Sequence, residues 1–156
     1  MTMKPQHIYI DTSVIGGCFD DEFAFESNWL IDQFREGRMK MIYSEVTEQE
    51  LRQAPQHIKD LIKSLSKDNF EYISITDEAT ELALTYISEQ VVGKTCLADC
   101  LHIAIATIQH ADILASWNFK HIVNVTRIRG YNSVNIKLGY PTIDIRSPKE
   151  IVVYGD

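Results

Sequence analysis

One stretch constrains the fold more than any other. Residues Thr95 to His121 read TCLADCLHIAIATIQHADILASWNFKH. From Leu97 to Ile108 the apolar residues run almost all the way round a helix, so the pattern predicts a buried helix rather than a surface one. Asp99 stands in its first turns among Leu97, Ala98, Leu101 and Ile103. The run DILAS that follows is short and apolar, the pattern of a strand covered on both faces. Ser116, Trp117 and Asn118 come directly after it, polar groups at the carboxyl end of a strand, where open α/β sheets bind ligands. An acid at the start of a buried helix and an amide at the end of the next strand make half of a site.

The remaining elements alternate. HIYID (His7–Asp11) reads as a first strand ending in an acid, and Thr12 to Gly17 as a turn. Phe25, Trp29, Leu30, Ile31 and Phe34 have helical spacing between Phe23 and Gly37, and MKMIYS (Met39–Ser44) is a second strand. Thr47 to Glu50 begins a helix that Pro55 ends or bends, and Ile58, Leu61, Ile62 and Leu65 make the next helix amphipathic. FEYISI (Phe70–Ile75) is a third strand, with Thr76 as N-cap of a helix through Gln90. Beyond Trp117, residues Asn124 to Gly139 read as loop and helix, and TIDI and a short IVVY close the chain. Such alternation implies a mostly parallel sheet covered on both faces. At 156 residues the chain fits one domain, residues 1–156.

No apolar run approaches the roughly 20 residues that span a bilayer, and MTMKPQHIYID lacks a secretory signal's apolar centre. No membrane association is expected. Three cysteines, an odd number, point to reduced thiols and a cytoplasmic location. Cys96 and Cys100, four apart and near His102, invite a zinc reading. The pattern lacks a second ligand pair, so buried small hydrophobes are the expectation.

The net charge of −7 argues against nucleic acid, but its distribution does not. Ile113 to Ile143 contains no acid, yet holds Lys120, Arg127, Arg129, Lys137 and His121. Trp117, Phe119, Tyr131 and Tyr140 are interleaved with them. A basic, aromatic strip can hold phosphates and stack bases, and the alternative is an ordinary solvated surface.

Three acids could carry chemistry. Asp11 ends the first strand and either points into the crevice above the sheet or caps the next segment. Glu50 matches a capping box, Thr47-x-x-Glu50, in which it would only satisfy a backbone donor. Asp99 sits among apolar neighbours and needs a cation, a donor or a metal. Lys94 and His102 are the structural candidates. Asn118 could be a simple turn residue. If the three acids converge on one crevice, they suit a hard cation such as Mg2+, which takes one or two carboxylates and keeps several waters.

IYIDTSVIGG, the Glu50-Leu51 pair after a strand, LADCLHIAIA and DILASWNFKHI resemble, in order and spacing, the four signatures of PIN-domain nucleases. Within them the chain is similar to the VapC-like group of bacterial toxins. NVTRIRGYNSVNIKLGYPTIDIRSP also resembles members carrying WN at this position. The resemblance implies a three-layer α/β/α sandwich and metal-dependent cleavage of RNA with Mg2+ or Mn2+. Carried over, Asp11, Glu50 and Asp99 would be the metal-site carboxylates, with Ser13 and Ser116 as supporting hydroxyls. Asn118 stands where the family commonly has a fourth acid, which leaves three carboxylates and a one-metal mechanism in which its amide oxygen orients a water. Lys120, Arg127, Arg129 and Lys137 would seat the RNA. A cognate antitoxin and a homodimer are further expectations of the resemblance.

Two other readings compete. A PIN-like module could bind RNA or protein without cutting, and Asn118 in place of an acid favours this. A phosphotransfer protein using Asp11 as nucleophile is heavily disfavoured, because D-x-D-x-[TV] fails at Ser13 and no lysine stands suitably late beside a strand.

Overall fold

The computed structural model describes residues 4–153. Its frame is a five-stranded sheet of β1 (Gln6–Ile10), β2 (Met39–Ser44), β3 (Phe70–Ile73), β4 (Ile113–Ala115) and β5 (Ile145–Arg146). The spatial order is β3-β2-β1-β4-β5, and all four pairings are parallel. Ile8 of β1 lies opposite Met41 on one side and Ile113 on the other. A central parallel strand has no solvent face, and Ile8, Tyr9 and Ile10 are all fully buried. The chain leaves β1 toward β2 and returns to β4 on the other flank. The topological switch point therefore lies between the carboxyl ends of β1 and β4.

Each face of the sheet carries its own core. On one face Tyr9, Ile42 and Leu114 pack with α5 (Asp77–Ser88), α6 (Leu97–Ile108) and α7 (Val125–Lys137) through Leu82, Tyr86, Ile103 and Tyr131. On the other, Ile8, Ile10, Met41 and Ala115 meet α1 (Thr12–Gly17), α2 (Ala24–Arg35) and α4 (Gln56–Lys63) through Val14, Leu30, Phe34 and Ile58. The architecture is an α/β/α sandwich, and among the described residues no helix is long and apolar enough to cross a membrane.

Several local expectations change. Thr12 to Gly17 is a helix, α1, because the Asp11 carboxylate accepts from the Ser13 and Val14 amides and starts it. The helix α3 (Glu45–Glu50) begins two residues earlier than expected, capped by Ser44, whose hydroxyl accepts from the Val46 amide. The capping box Thr47-x-x-Glu50 therefore does not form, and Thr47 is buried inside the helix. Pro55 precedes α4, after a single tight turn at Leu51–Gln53. Strand β3 stops at Ile73, while Thr76 caps α5, which ends at Ser88 rather than Gln90. Of TIDI only Ile145 is in a strand. Ile151 ends the short helix α8 (Pro148–Ile151), and Tyr154 lies outside the described residues.

Gly17 shows how closely the layers meet at the site. A Cβ there would lie 2.6 Å from Ser27 Oγ and 2.8 Å from Trp117 Nε1, two groups that hydrogen-bond each other at 2.8 Å. Gly17→Ala is expected to destabilise the protein by about 2 kcal/mol despite alanine's better helix propensity, since it overpacks and breaks that bond. Gly16→Ala, with nothing within 4 Å, is expected to be neutral or slightly stabilising. Denaturant midpoints of the two variants check this, and equal midpoints would refute the close-approach account.

Candidate functional site at the carboxyl edge of the sheet

Asp11 closes β1 and is almost completely buried. Its Oδ1 accepts from the Ser13 hydroxyl at 2.6 Å and from the Ser13 and Val14 amides, and its Oδ2 accepts from the Ser116 hydroxyl at 2.5 Å. The two hydroxyls are used twice. Ser13 Oγ also receives the Trp117 amide, and Ser116 Oγ the Asn118 amide, each at 2.9 Å. One carboxylate thus ties the end of β1 to the loop after β4, across the switch point. The capping reading of Asp11 holds, and the cap stands at the switch point of the sheet. Burial raises its pKa above the ordinary carboxylate value, outweighing the charge of His102 and the serine hydroxyls, which pull it down.

Glu50 reaches the same region from the end of α3. Its Oε1 accepts from the Thr12 hydroxyl at 2.8 Å and from His102 Nε2 at 2.7 Å. A carboxylate only accepts, so His102 carries a proton on Nε2. His102 Nδ1 bonds the Tyr9 hydroxyl at 2.6 Å, and Tyr9 bonds Ser44 Oγ at 2.7 Å. Ser44, Tyr9, His102 and Glu50 thus form one chain of hydrogen bonds, in which His102 donates to Glu50. Burial pushes the Tyr9 phenol far above its usual range, which suits a permanent donor. Burial also raises Glu50, but the His102 hydrogen bond and charge, with Thr12, reverse it, and Glu50 lies below its ordinary value.

Asp99 occupies the first turn of α6 and is partly open. Its Oδ1 accepts from Asn118 Nδ2 at 3.3 Å. Neither Lys94 nor His102 forms an ion pair with it among the described residues. Burial raises its pKa, the charges of His102 and His121 lower it, and those of Asp11 and Glu50 raise it, for a net upward shift. Asp99 therefore feels the charges of both other acids and of His102. The three acids do not form a tight cage: among the described residues, the acid, His and Cys ligand atoms that close to within 4.8 Å of one another belong to Cys96, Asp99 and His121. Among the described residues Glu50 Oε2 and Asp99 Oδ2 accept no hydrogen bond. With Asp11 they offer the all-oxygen donor set that a hard divalent cation takes.

Asn118 is both turn residue and site residue. Its Oδ1 accepts the amides of Lys120 at 3.2 Å and His121 at 3.0 Å, so its NH2 group faces Asp99. The amide oxygen expected to orient a water accepts these two backbone amides. The Cys96, Cys100 and His102 grouping does not form either. His102 is committed to Tyr9 and Glu50, and Cys100 is a fully buried free thiol whose pKa burial pushes up to about 12.

The basic strip divides. Arg127 donates to the Val91 carbonyl, and Lys137 pairs with Glu89 at 2.9 Å. Lys120 and Arg129 are exposed and have no ion-pair partner among the described residues. Trp117 is buried and stacked on Phe23 at 4.2 Å, and Tyr131 is fully buried, so neither offers a face to a base. Phe119 is exposed. Sequence reasoning missed Thr12, Tyr9 and Ser44 and the bridging role of His102. The one available signal was Tyr9 lying two residues from Asp11, on the same face of β1.

No protein-family model matches the sequence, and no curated protein does. Solved structures do match in fold. A chain of VapBC2 from Rickettsia felis, solved with a DNA fragment from its promoter, superposes with a TM-score of 0.56 at 12% identity, over 91% of this chain and 98% of that one. A chain of DNA-bound VapBC from Salmonella typhimurium gives 0.57 at 13% identity, over 92% and 98%. At such identity the likeness is one of fold, and the fold of this chain is the PIN-like α/β/α sandwich.

Proposed function

We propose that the chain is a metal-dependent endoribonuclease and the toxin of a toxin–antitoxin pair. The observation that carries this reading is a set of hydrogen bonds joining three separate segments: Asp11 connects to Asp99 through Ser116 and Asn118, and Glu50 bonds Thr12, the residue after Asp11, and His102. Mg2+ or Mn2+, when bound, would lower the pKa of a water and neutralise charge developing on the phosphodiester. The chain's own residues do the positioning. Ser13 and Ser116 hold Asp11 rigid, and Thr12 and His102 keep Glu50 ionised. Asn118 aims Asp99 while folding the loop that presents Lys120. The DNA-bound VapBC complexes that share the fold support an antitoxin partner for this chain. A homodimer and a cytoplasmic site of action belong to the same reading.

Purified protein incubated with RNA is expected to cut it with Mg2+ or Mn2+ and to stop when EDTA is added. Absent cleavage, with RNA still bound, would favour the second reading, a binding module, which Asn118 in place of an acid supports, whereas cleavage that persists in EDTA would refute the metal requirement. For the strip, Lys120→Ala with Arg129→Ala is expected to flatten the salt dependence of RNA binding by about two units of log–log slope, one per phosphate contact. Arg127 and Lys137 already have protein partners, so alanine at either is expected to change the slope less. An unchanged slope in the double variant would place the RNA elsewhere.

A further inference from the structure

Beside the acids lies a set of ligand atoms that the nuclease reading does not use together. Cys96, Asp99 and His121 each bring one ligand atom to within 4.8 Å of the other two. Cys96 is the N-cap residue of α6 and Asp99 follows three residues on, so the two share a helix face. His121 arrives from the loop after β4. Its amide is held by Asn118 Oδ1 at 3.0 Å, and its carbonyl accepts the Tyr131 hydroxyl at 2.7 Å. The backbone is thus fixed on both sides. The Nδ1 atom of its ring is sealed from solvent without a hydrogen-bond partner among the described residues. Cys96 is likewise buried, as a free thiol. An unpaired buried imidazole nitrogen is unfavourable unless something is there to engage it.

The geometry points to a second metal site, for a thiophilic divalent cation of the zinc class. Its ligands are Cys96 Sγ, a carboxylate oxygen of Asp99 and an imidazole nitrogen of His121. A sulfur, nitrogen and oxygen set selects zinc over magnesium, which prefers oxygen alone. Tetrahedral zinc holds such atoms about 3.5 Å apart, so binding requires them to close by at most about 1.3 Å. Three protein ligands leave the fourth position to water. Binding releases the Cys96 thiol proton to solvent and leaves a thiolate on the metal. Because Asp99 belongs to both sets, zinc here withdraws it from the carboxylate centre, and zinc antagonises magnesium. That antagonism rests on the nuclease reading of Asp99; the zinc site itself does not.

Cobalt(II) is the probe for the site, because thiolate ligation gives it a near-ultraviolet charge-transfer band. The intact protein is expected to develop that band at one equivalent and to lose it when zinc is added. Cys96→Ser, which keeps the shape of the side chain, is expected to abolish the band. His121→Gln, in a loop, is expected to weaken cobalt binding at least tenfold. Circular dichroism establishes that both variants are folded, and either one suffices. No band, or a band that survives Cys96→Ser, would overturn the site. In the cleavage arm, one equivalent of zinc over excess magnesium is expected to slow RNA cutting at least tenfold, and Cys96→Ser is expected to lose that zinc sensitivity. A cobalt band without zinc inhibition would overturn the antagonism alone. A cobalt band in a protein that cuts no RNA with any metal would keep the site and remove the nuclease reading.

Discussion

Asp99→Asn is expected to lower magnesium-dependent cleavage at least about a hundredfold, while the metal-free protein melts at the same temperature or slightly higher. The asparagine oxygen can still accept from Asn118 Nδ2, and no ion-pair partner is stranded, since Asp99 has none among the described residues. What is removed is a charge that burial and the neighbouring Asp11 and Glu50 disfavour. A raised carboxylate pKa means that stability is fully present below the unfolded value, about 4, and is lost as pH rises through the folded value. The advantage of the variant should therefore appear at neutral pH and vanish near pH 4. It should stay below about 1 kcal/mol, because the group is partly solvated. Metal reverses the order. Magnesium at a hundred times its dissociation constant should stabilise the wild type by about 2.7 kcal/mol and barely move the variant. Thermal melts with and without magnesium measure this. A variant that melts well below the wild type without metal, or cuts RNA at the wild-type rate, would refute the assignment.

The parts of the fold legible in the sequence are those with a continuous, mostly apolar run. Strand β2 and helix α6 have the boundaries that their runs mark, Met39–Ser44 and Leu97–Ile108, because Gly37 and Arg38 precede the first and Gln109 and His110 follow the second. Helix α1 was illegible for the opposite reason. Its Gly-Gly and β-branched residues read as a turn, and it exists because Asp11 caps it and because Gly17 fits against Ser27 and Trp117. At Ser44 a local signal misled. Thr47-x-x-Glu50 has the capping pattern, but the last residue of β2 takes the cap and frees Glu50 for His102. The candidate acids could be named from their places at element ends. Their partners could not, since His102 meets Glu50 and Tyr9 across 52 and 93 residues of chain. The basic strip shows that a window of sequence is not a surface: Arg127 and Lys137 turn to Val91 and Glu89.

His102 gives the sharpest test of whether the site is a built network. The ring is 2% exposed, and replacing it with leucine keeps the volume and helix propensity but leaves Tyr9 bonded only to Ser44. Glu50 loses a charge-assisted donor. That loss is softened because the Glu50 side chain is 39% exposed. Together these should cost about 2–4 kcal/mol. Tyr9→Phe should cost about 1–3 kcal/mol, because His102 Nδ1 is left unpaired beside an isosteric ring. If Ser44, Tyr9, His102 and Glu50 act as one chain, the double variant should cost less than the sum of the singles, by about 1 kcal/mol or more. The acid side gives a second signature. Glu50 is depressed, so the stability it contributes is present above its unfolded pKa and lost as pH falls through its folded value. The gap between wild type and His102→Leu should then be widest at neutral pH and narrow in acid. Urea titrations of the four proteins across pH measure both. A neutral His102→Leu, or strict additivity with Tyr9→Phe, would mean that Glu50 is held by Thr12 alone and that the ring is ordinary core.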